Sequence, residues 1–341
     1  SGAVRFNFIS NEWNIFGEYA YKANDPSADN EFIYKPGHAA YFTASYTKGK
    51  FGAIVNGKFY DNFSWRSEPA TDPQQLLIGF LPSATTLHTY ALPALYAYNT
   101  VLTGEQGYQV ELSYRLDRNT ALGGRYGTLI SASFASSYSL QKDYDFRVVD
   151  GDTTIRGTDG YTTELGLGDY RYFQDFHLVI KRKLNKKWKF TGTYYNFYFN
   201  DDVLRKGGGG VRDPLLEAGS DSYYINAAVI ELLWKIKSRH SLRTEIQGLF
   251  TEGDRQDWAM VLLEYSIAPH WFFAVQDAYN YGNNNPDLRV HYISVNAGYT
   301  LKSTRIQIGY GRQQEGVFCV GGICRVVPAS NGFTMSLTSN F

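Results

Sequence analysis

Apolar and polar residues alternate along much of this chain in segments of about ten residues. In residues 13–22, WNIFGEYAYK, most odd positions are aromatic or aliphatic, whereas Asn14, Glu18 and Lys22 occupy even positions. The same alternation recurs in YQVELSYRLD (108–117), SLRTEIQGLF (241–250) and RIQIGYGR (305–312). Because successive side chains of a β-strand point to opposite faces, each segment is predicted to be a strand with one apolar and one polar face.

The connections between these segments are alternately short and long. The short turns are predicted at 11–13, 48–50, 117–119, 185–187, 238–240, 268–270 and 302–304. The long connections are predicted at 24–37, 63–106, 133–160, 200–221, 251–257, 282–288 and 313–330. Tight turns at one rim and long extracellular loops at the other are typical of bacterial outer-membrane barrels. The pattern therefore predicts an all-β fold, a transmembrane antiparallel β-barrel that occupies residues 1–341 as a single domain.

A soluble β-sandwich would show the same alternation, and composition helps to separate the two. The chain has 28 Tyr, 22 Phe and 6 Trp, and its mean hydropathy is −0.35. Tyrosine suits a surface that must be apolar along the ring and wet at the tip. The sequence has no apolar run of about 18 residues that would make a membrane helix. Its formal charge of zero gives no sign of nucleic-acid binding.

The turns also predict the number of strands. Seven short turns pair fourteen strands, and the C-terminal strand is a fifteenth. Residues 86–98 look like a further strand, which we place in or over the 63–106 loop. Fifteen strands would bring the first and last together in parallel, whereas bacterial barrels close with an even count. We therefore expect a barrel of about sixteen strands or more, with at least one strand upstream of this sequence.

The last strand has the features of an assembly signal. It alternates polar residues with Phe333, Met335 and Leu337, and the sequence ends on Phe341. Such a strand resembles the C-terminal signal that the barrel-assembly machinery recognises, which makes that machinery an expected partner.

Both cysteines lie in the loop before this strand. Cys319 and Cys324 enclose a spacer that contains Gly321 and Gly322 and can turn back on itself. We predict a disulfide, as expected for an oxidising compartment. The entropy gain from so short a ring is small, so its expected use is to fix the shape of the loop.

Four stretches carry a family resemblance. They are EYAYKANDPSADNEFIYKPG (18–37), HSLRTEIQGLF (240–250), DWAMVLLEYSIAPHWFFAVQDAYNYGN (257–283) and GVFCVGGICRVVPASNGFTMSLTSNF (316–341). They resemble an uncharacterised outer-membrane barrel family of Bacteroidota, a domain of unknown function. The resemblance implies an outer-membrane barrel that extends further at the N-terminus, and it implies no activity or catalytic residue.

The sequence shows no catalytic, metal or cofactor motif. Its six histidines are scattered, with no two at metal-ligand spacing. Asp175 and His177 should share the inward face of one strand, but no Ser or Cys nucleophile can be placed beside them. The glycine-rich stretch 205–214 lacks the ending of a phosphate loop, and 24–30 and 282–287 do not follow the EF-hand pattern. We predict that the protein is not an enzyme.

Charged residues of both signs occupy the predicted polar faces and should line the lumen. These candidates are Glu18, Lys22, Lys58, Glu111, Arg115, Arg125, Asp175, Lys181, Glu231, Lys235, Arg243, Glu245, Glu264, Arg305 and Arg312. They could form a charged constriction that selects small polar solutes. Alternatively, they could form cross-strand pairs that brace a plugged lumen.

Three functions remain open at this stage. A channel or porin-like route for polar solutes is favoured, because a barrel this wide has an aqueous interior unless something fills it. A non-conducting structural subunit of an outer-membrane secretion or assembly complex is the alternative, and a barrel-borne enzyme ranks third. All three place the protein among the lipids of a Gram-negative outer membrane, where other outer-membrane proteins are possible partners.

Overall fold

The computed structural model describes residues 1–27, 30, 32–65, 67, 82, 84–101, 103–144, 146–149, 152–155, 160–205, 221–314, 316–320 and 323–339. For residues 146–149, 152–155, 165, 316–320 and 323–327 it describes the backbone alone.

Fifteen strands form one antiparallel sheet in which each strand pairs with its neighbours along the chain. They are β1 (Gly2–Ile9), β2 (Trp13–Lys22), β3 (Gly37–Lys48), β4 (Phe51–Asp61), β5 (Gly104–Leu116), β6 (Thr128–Tyr144), β9 (Tyr161–Lys183), β10 (Trp188–Asn200), β11 (Ser222–Lys237), β12 (His240–Thr251), β13 (Trp258–Ile267), β14 (Trp271–Tyr279), β15 (His291–Leu301), β16 (Thr304–Gln313) and β19 (Ser330–Ser339). Two separate hairpins are inserted in this series, β7 (Phe146–Val149) with β8 (Asp152–Ile155), and β17 (Gly316–Val320) with β18 (Ile323–Val327). The predicted all-β, antiparallel barrel fold is confirmed.

Helical structure is minor in the described part of the chain. It comprises α1 (Asp201–Leu204) and two 3-10 turns, Pro93–Tyr96 and Pro286–Leu288. Within the described ranges, no helix has the length and apolar character needed to cross a bilayer.

The two faces of the sheet differ in exposure, and the inner face carries buried apolar residues beside the predicted polar ones. Leu112, Ile246 and Ile308 keep 47%, 52% and 55% of their surface exposed. On the other face, Leu249 and Trp258 are almost fully buried. A sandwich would bury the first group between two sheets, so the soluble sandwich is wrong.

The predicted short turns are present with one exception. A two-residue connection, Gly49 and Lys50, joins β3 to β4, and Gly49 adopts φ +60, which suits the tight turn of a hairpin. The prediction for 117–119 is wrong, because β5 ends at Leu116 and β6 begins only at Thr128. The longer connection contains an isolated bridge between Thr120 and Gly124.

The predicted 133–160 loop is shorter than expected. Residues 133–144 continue β6, and their partners on β9 lie between Tyr161 and His177. The register shifts between Ser137 and Gln141. These irregularities break the period of two by which a strand is recognised in a sequence. The alternation therefore does not reveal the extension of β6 beyond residue 133.

The two outer strands of the sheet are each paired along one edge. β1 pairs with β2 and β19 pairs with β16, and within the described residues β1 and β19 do not pair with each other. Because the sheet is antiparallel throughout and has fifteen strands, β1 and β19 run in the same direction. The upstream strand stays a prediction.

Candidate functional site: the barrel lumen

Residues 84–101, which we call the inserted segment, fold back against the inner face of the sheet. Leu92, Ala94 and Tyr96 are buried there. The segment is not the strand predicted for 86–98, because it turns through a 3-10 helix over Pro93–Tyr96. Pro93 lacks the backbone N–H that a strand ladder needs. Its placement within the 63–106 loop is as predicted, although that loop ends at Thr103.

The inserted segment completes a dry aromatic core inside the barrel. The ring of Tyr98 stacks on Phe173 at 4.9 Å, and Tyr96 meets Phe199 edge-on at 5.4 Å. Other buried members of this core are Leu92, Tyr172, Tyr195, Phe197, Val203, Tyr223, Ile225, Ala227, Val229, Leu249, Trp258, Met260, Leu262, Phe272 and Ala274. The sequence did not predict this core, because a period of two shows which face a residue occupies but not whether water reaches it.

Hydrogen bonds attach the inserted segment to several strands. His88 Nε2 lies 2.7 Å from Asp175 Oδ2, and His177 Nδ1 lies 3.1 Å from Asp175 Oδ1. The Leu92 backbone N–H donates to Gln247 Oε1 at 2.9 Å. Asp175 and His177 face inward as predicted. The third member of their cluster, His88, belongs to the inserted segment and lies 87 residues before Asp175 in the chain.

A buried ion pair between β4 and β5 holds the end of the inserted segment against the wall. Lys58 contacts Glu105, and both side chains have no exposed surface. Glu105 also accepts hydrogen bonds from the Tyr98 hydroxyl and, at 2.7 Å, from the Val101 backbone N–H. The Lys58 ammonium lies 4.9 Å from the Tyr98 ring centre. Charges buried this deeply require such partners.

The phenols of the inserted segment are neutral donors. Burial raises the pKa of Tyr90 to about 12, and the nearby carboxylates Glu231 and Glu245 add to the shift. Burial also raises the pKa of Tyr96 and of Tyr98. These hydroxyls therefore keep their protons at neutral pH.

A group of carboxylates surrounds one guanidinium beneath the inserted segment. Arg243 lies 3.0 Å from Glu245, 3.4 Å from Glu231 and 3.5 Å from Glu264. Gln247, which binds the inserted segment, also donates to Glu245 at 2.5 Å. Lys235, another predicted lumen residue, is exposed near the short turn that follows β11.

The other predicted lumen residues are more dispersed. Glu18 Oε2 lies 3.0 Å from Arg5 Nε. Lys22 is buried and donates to the Ser64 carbonyl at 2.6 Å. Glu111 is half-buried, whereas Arg115 and Lys181 are exposed.

Three further candidates are arginines near ring faces. Arg305 lies 4.5 Å from the centre of the Phe272 ring, and Arg312 lies 5.0 Å from that of Tyr292. Arg125 is in the β5–β6 connection and not in a wall strand, because that connection runs on to residue 127. Its predicted position in the lumen wall is therefore wrong.

The structure describes only some of the C-terminal residues for which a role is predicted. Phe333, Met335 and Leu337 alternate along β19 and are highly exposed, whereas Phe341 lies outside the described residues. The β17–β18 register places Cys319 opposite Cys324. Their side chains are outside the described part of the chain, so the disulfide stays a prediction.

Comparison with known proteins gives a family and distant structural likenesses. A model described as "Family of unknown function (DUF6029)" matches residues 1–341. A comparison with curated proteins finds no match. The siderophore receptor PirA of Acinetobacter baumannii is 10% identical at a TM-score of 0.42, with 98% of this chain and 56% of that chain covered.

Two further receptor structures give similar identities, TM-scores and coverages. A mutant of the ferric enterobactin receptor PfeA of Pseudomonas aeruginosa, in complex with enterobactin, gives the same four values. A second PfeA mutant gives 10% identity, a TM-score of 0.44 and coverage of 98% and 58%. This chain thus spans little more than half the length of these receptors, and likenesses of this size transfer no ligand or activity to it.

Proposed function

This chain belongs to the DUF6029 family, and we propose that it is an integral β-barrel of a Gram-negative outer membrane. We propose further that it forms a porin-like route for small polar solutes, with the inserted segment narrowing the lumen. The protein would act without a catalytic step.

Aromatic pairs on the outward face support the membrane assignment. Near the short turns, Trp188 stacks on Trp234 at 5.2 Å. Near the long loops on the same two strands, Tyr198 meets Tyr224 at 5.4 Å. Such aromatic girdles are typical of the two interfaces of a bilayer.

The distance between these aromatic pairs matches an apolar band of membrane thickness. Trp188 and Tyr198 lie ten positions apart on β10, which corresponds to about 34 Å along a strand. Membrane strands tilt by up to about 45°, and at that tilt the two pairs are separated by a height of about 24 Å along the barrel axis. The apolar band of an outer-membrane barrel has nearly the same height, about 25 Å. Most outward residues between them are apolar, such as the exposed Ile230. Asn196 and Asn226 are the polar exceptions near the Tyr198–Tyr224 end, and the Asn196 side-chain amide donates to Asn226 Oδ1 at 3.0 Å.

The arrangement of the inserted segment carries the pore proposal. Its side-chain and hydrogen-bond contacts with the wall fall on β4, β5 and the strands from β9 to β12. Across the described inner face of β1–β3, Arg5 remains exposed, and Glu18, Thr43 and Ser45 are partly exposed. One wall is thus covered by an apolar core, whereas the inner face of β1–β3 stays accessible and carries Phe16 and Tyr41 beside its polar residues. Accessible polar groups next to a packed wall support a narrowed aqueous lumen.

A non-conducting structural subunit is the second candidate. The aromatic core and the fully buried Lys58–Glu105 pair support this candidate, because that part of the lumen is as buried as a protein interior. If the remaining space were also filled, the protein could act only through its loops and outer surface.

Ion conductance in planar bilayers distinguishes these candidates. The unsubstituted protein should give defined steps, and replacing residues 86–99 with a short Gly-Ser linker should enlarge them. A matched control replaces residues 284–289, which lie in the β14–β15 connection, and should leave the steps unchanged. Absence of conductance in the unsubstituted protein would contradict the pore. If the unsubstituted protein did not conduct but the 86–99 variant did, the sealed structural subunit would be supported.

A further inference from the structure

We propose that His88, Asp175 and His177 form a binding site for one divalent transition-metal ion of the zinc type. The ion would fasten the inserted segment to the barrel wall. This inference does not depend on conduction through the lumen.

The three side chains converge on one point in the lumen. Each offers a ligand atom, and these atoms lie within 4.8 Å of one another. His88, Asp175 and His177 keep only 9%, 1% and 7% of their surface exposed. Asp175 and His177 are fixed two positions apart on the same face of β9, and His88 approaches from the inserted segment.

Two imidazoles and one carboxylate are a ligand set that zinc uses, with a fourth position left for water or another donor. In a tetrahedral site with bonds of about 2.0–2.1 Å, neighbouring ligand atoms lie about 3.3 Å apart. His88 Nε2 lies 2.7 Å from Asp175 Oδ2, and His177 Nδ1 lies 3.1 Å from the other carboxylate oxygen, Oδ1. Since one ligand atom from each residue lies within 4.8 Å of the others, side-chain rotations would bring the three into the first shell of one ion.

The surroundings favour a bound cation over hydrogen bonding alone. Asp175 is a buried carboxylate, and two neutral imidazoles would offer it hydrogen bonds but no opposite charge. Aromatic rings enclose the group, with Tyr195 at 4.8 Å and Phe197 at 5.3 Å from the His88 ring. A divalent ion would supply the positive charge that neutralises this carboxylate.

The chain supplies a matched control in a second His–Asp pair. His291 Nδ1 lies 2.7 Å from Asp277 Oδ2, the same distance as in the buried pair. Both side chains of this pair are exposed on the outward face, and no third ligand joins them in the part of the chain searched.

The test is zinc binding by the full chain in detergent micelles after dialysis against a chelator. Isothermal titration with ZnCl₂ and metal analysis after desalting should give one ion per chain. Loss of an outer-shell partner typically weakens metal binding by about 10–100-fold. His88→Ala and His177→Ala each remove a direct ligand, so each should weaken zinc binding by more than that. His291→Ala should bind zinc like the unsubstituted protein.

A structural readout keeps the proposal testable if one variant folds poorly. Zinc should slow proteolytic cleavage of the inserted segment in the unsubstituted protein and in His291→Ala, but not in His88→Ala. His88 lies outside the strands, so its replacement should leave the β-sheet signal in circular dichroism intact. No zinc binding by the unsubstituted protein, or equal binding by His88→Ala and His291→Ala, would overturn the proposal.

Discussion

At the scale of single residues, the lumen contains charged groups that are as buried as any core residue. Glu105 is held by Lys58, by the Tyr98 hydroxyl and by the Val101 backbone N–H. Removing one partner from such a group is costly because the remaining charge has lost its hydration and its counterion together. The same change at the surface costs little, because water replaces the partner.

Replacing Lys58 with Met should therefore lower the free energy of unfolding by about 3–5 kcal/mol. The matched control is Lys48→Met, which breaks the exposed Lys48–Glu12 pair and should cost about 1 kcal/mol or less. Urea unfolding in micelles, followed by tryptophan fluorescence, measures both values. Equal losses in the two variants would contradict a dry lumen around Glu105.

At the scale of strands, the C-terminal β19 combines a lumen-facing and an outward-facing row. Its register with β16 pairs Leu337 with Ile306 and Met335 with Ile308, all on the outward face. The predicted assembly signal depends on this row and on the terminal aromatic residue.

Changing Phe341 to Ala should reduce insertion into the outer membrane, because the predicted assembly signal would lose its aromatic residue at position 341. Phe333→Ala removes an aromatic residue from the other end of the same row and should have the smaller effect. The fraction of protein recovered in outer membranes after mild induction measures both. Normal assembly of the Phe341 variant would count against the proposed signal.

Alternation and turn length were enough to predict the order of the strands and the fifteen-stranded sheet. They failed where the period of two is interrupted, as at the bulged end of β6 near Leu140. They also failed for Pro93–Tyr96, whose apolar character suits a strand but whose proline favours a turn. The site was harder to predict, because His88 meets Asp175 only through the path of a long loop and nothing in local spacing encodes that path.

At the scale of the whole molecule, one sheet has two different faces. The inner face is packed by the inserted segment in one part and accessible in another, whereas the outer face is mainly apolar. The outer face would be unstable in water, since exposed groups such as Ile246, Val295 and Ile308 form continuous rows. Lipid tails remove this cost, and the spacing of the aromatic pairs agrees with the thickness of an outer membrane. Pore, sealed subunit and metal site all rest on this orientation of the sheet.

A cysteine scan along β3 tests this orientation most directly. Phe42 and Ala44 are on the outward face, whereas Thr43 and Ser45 are on the inner face. Each would be changed to Cys in a background with Cys319 and Cys324 replaced by Ser, labelled with a polarity-sensitive fluorophore and reconstituted in vesicles of chain-brominated lipid. Strong quenching and blue-shifted emission are expected at positions 42 and 44, and neither at 43 and 45. Equal quenching at all four positions, or quenching only at 43 and 45, would contradict it.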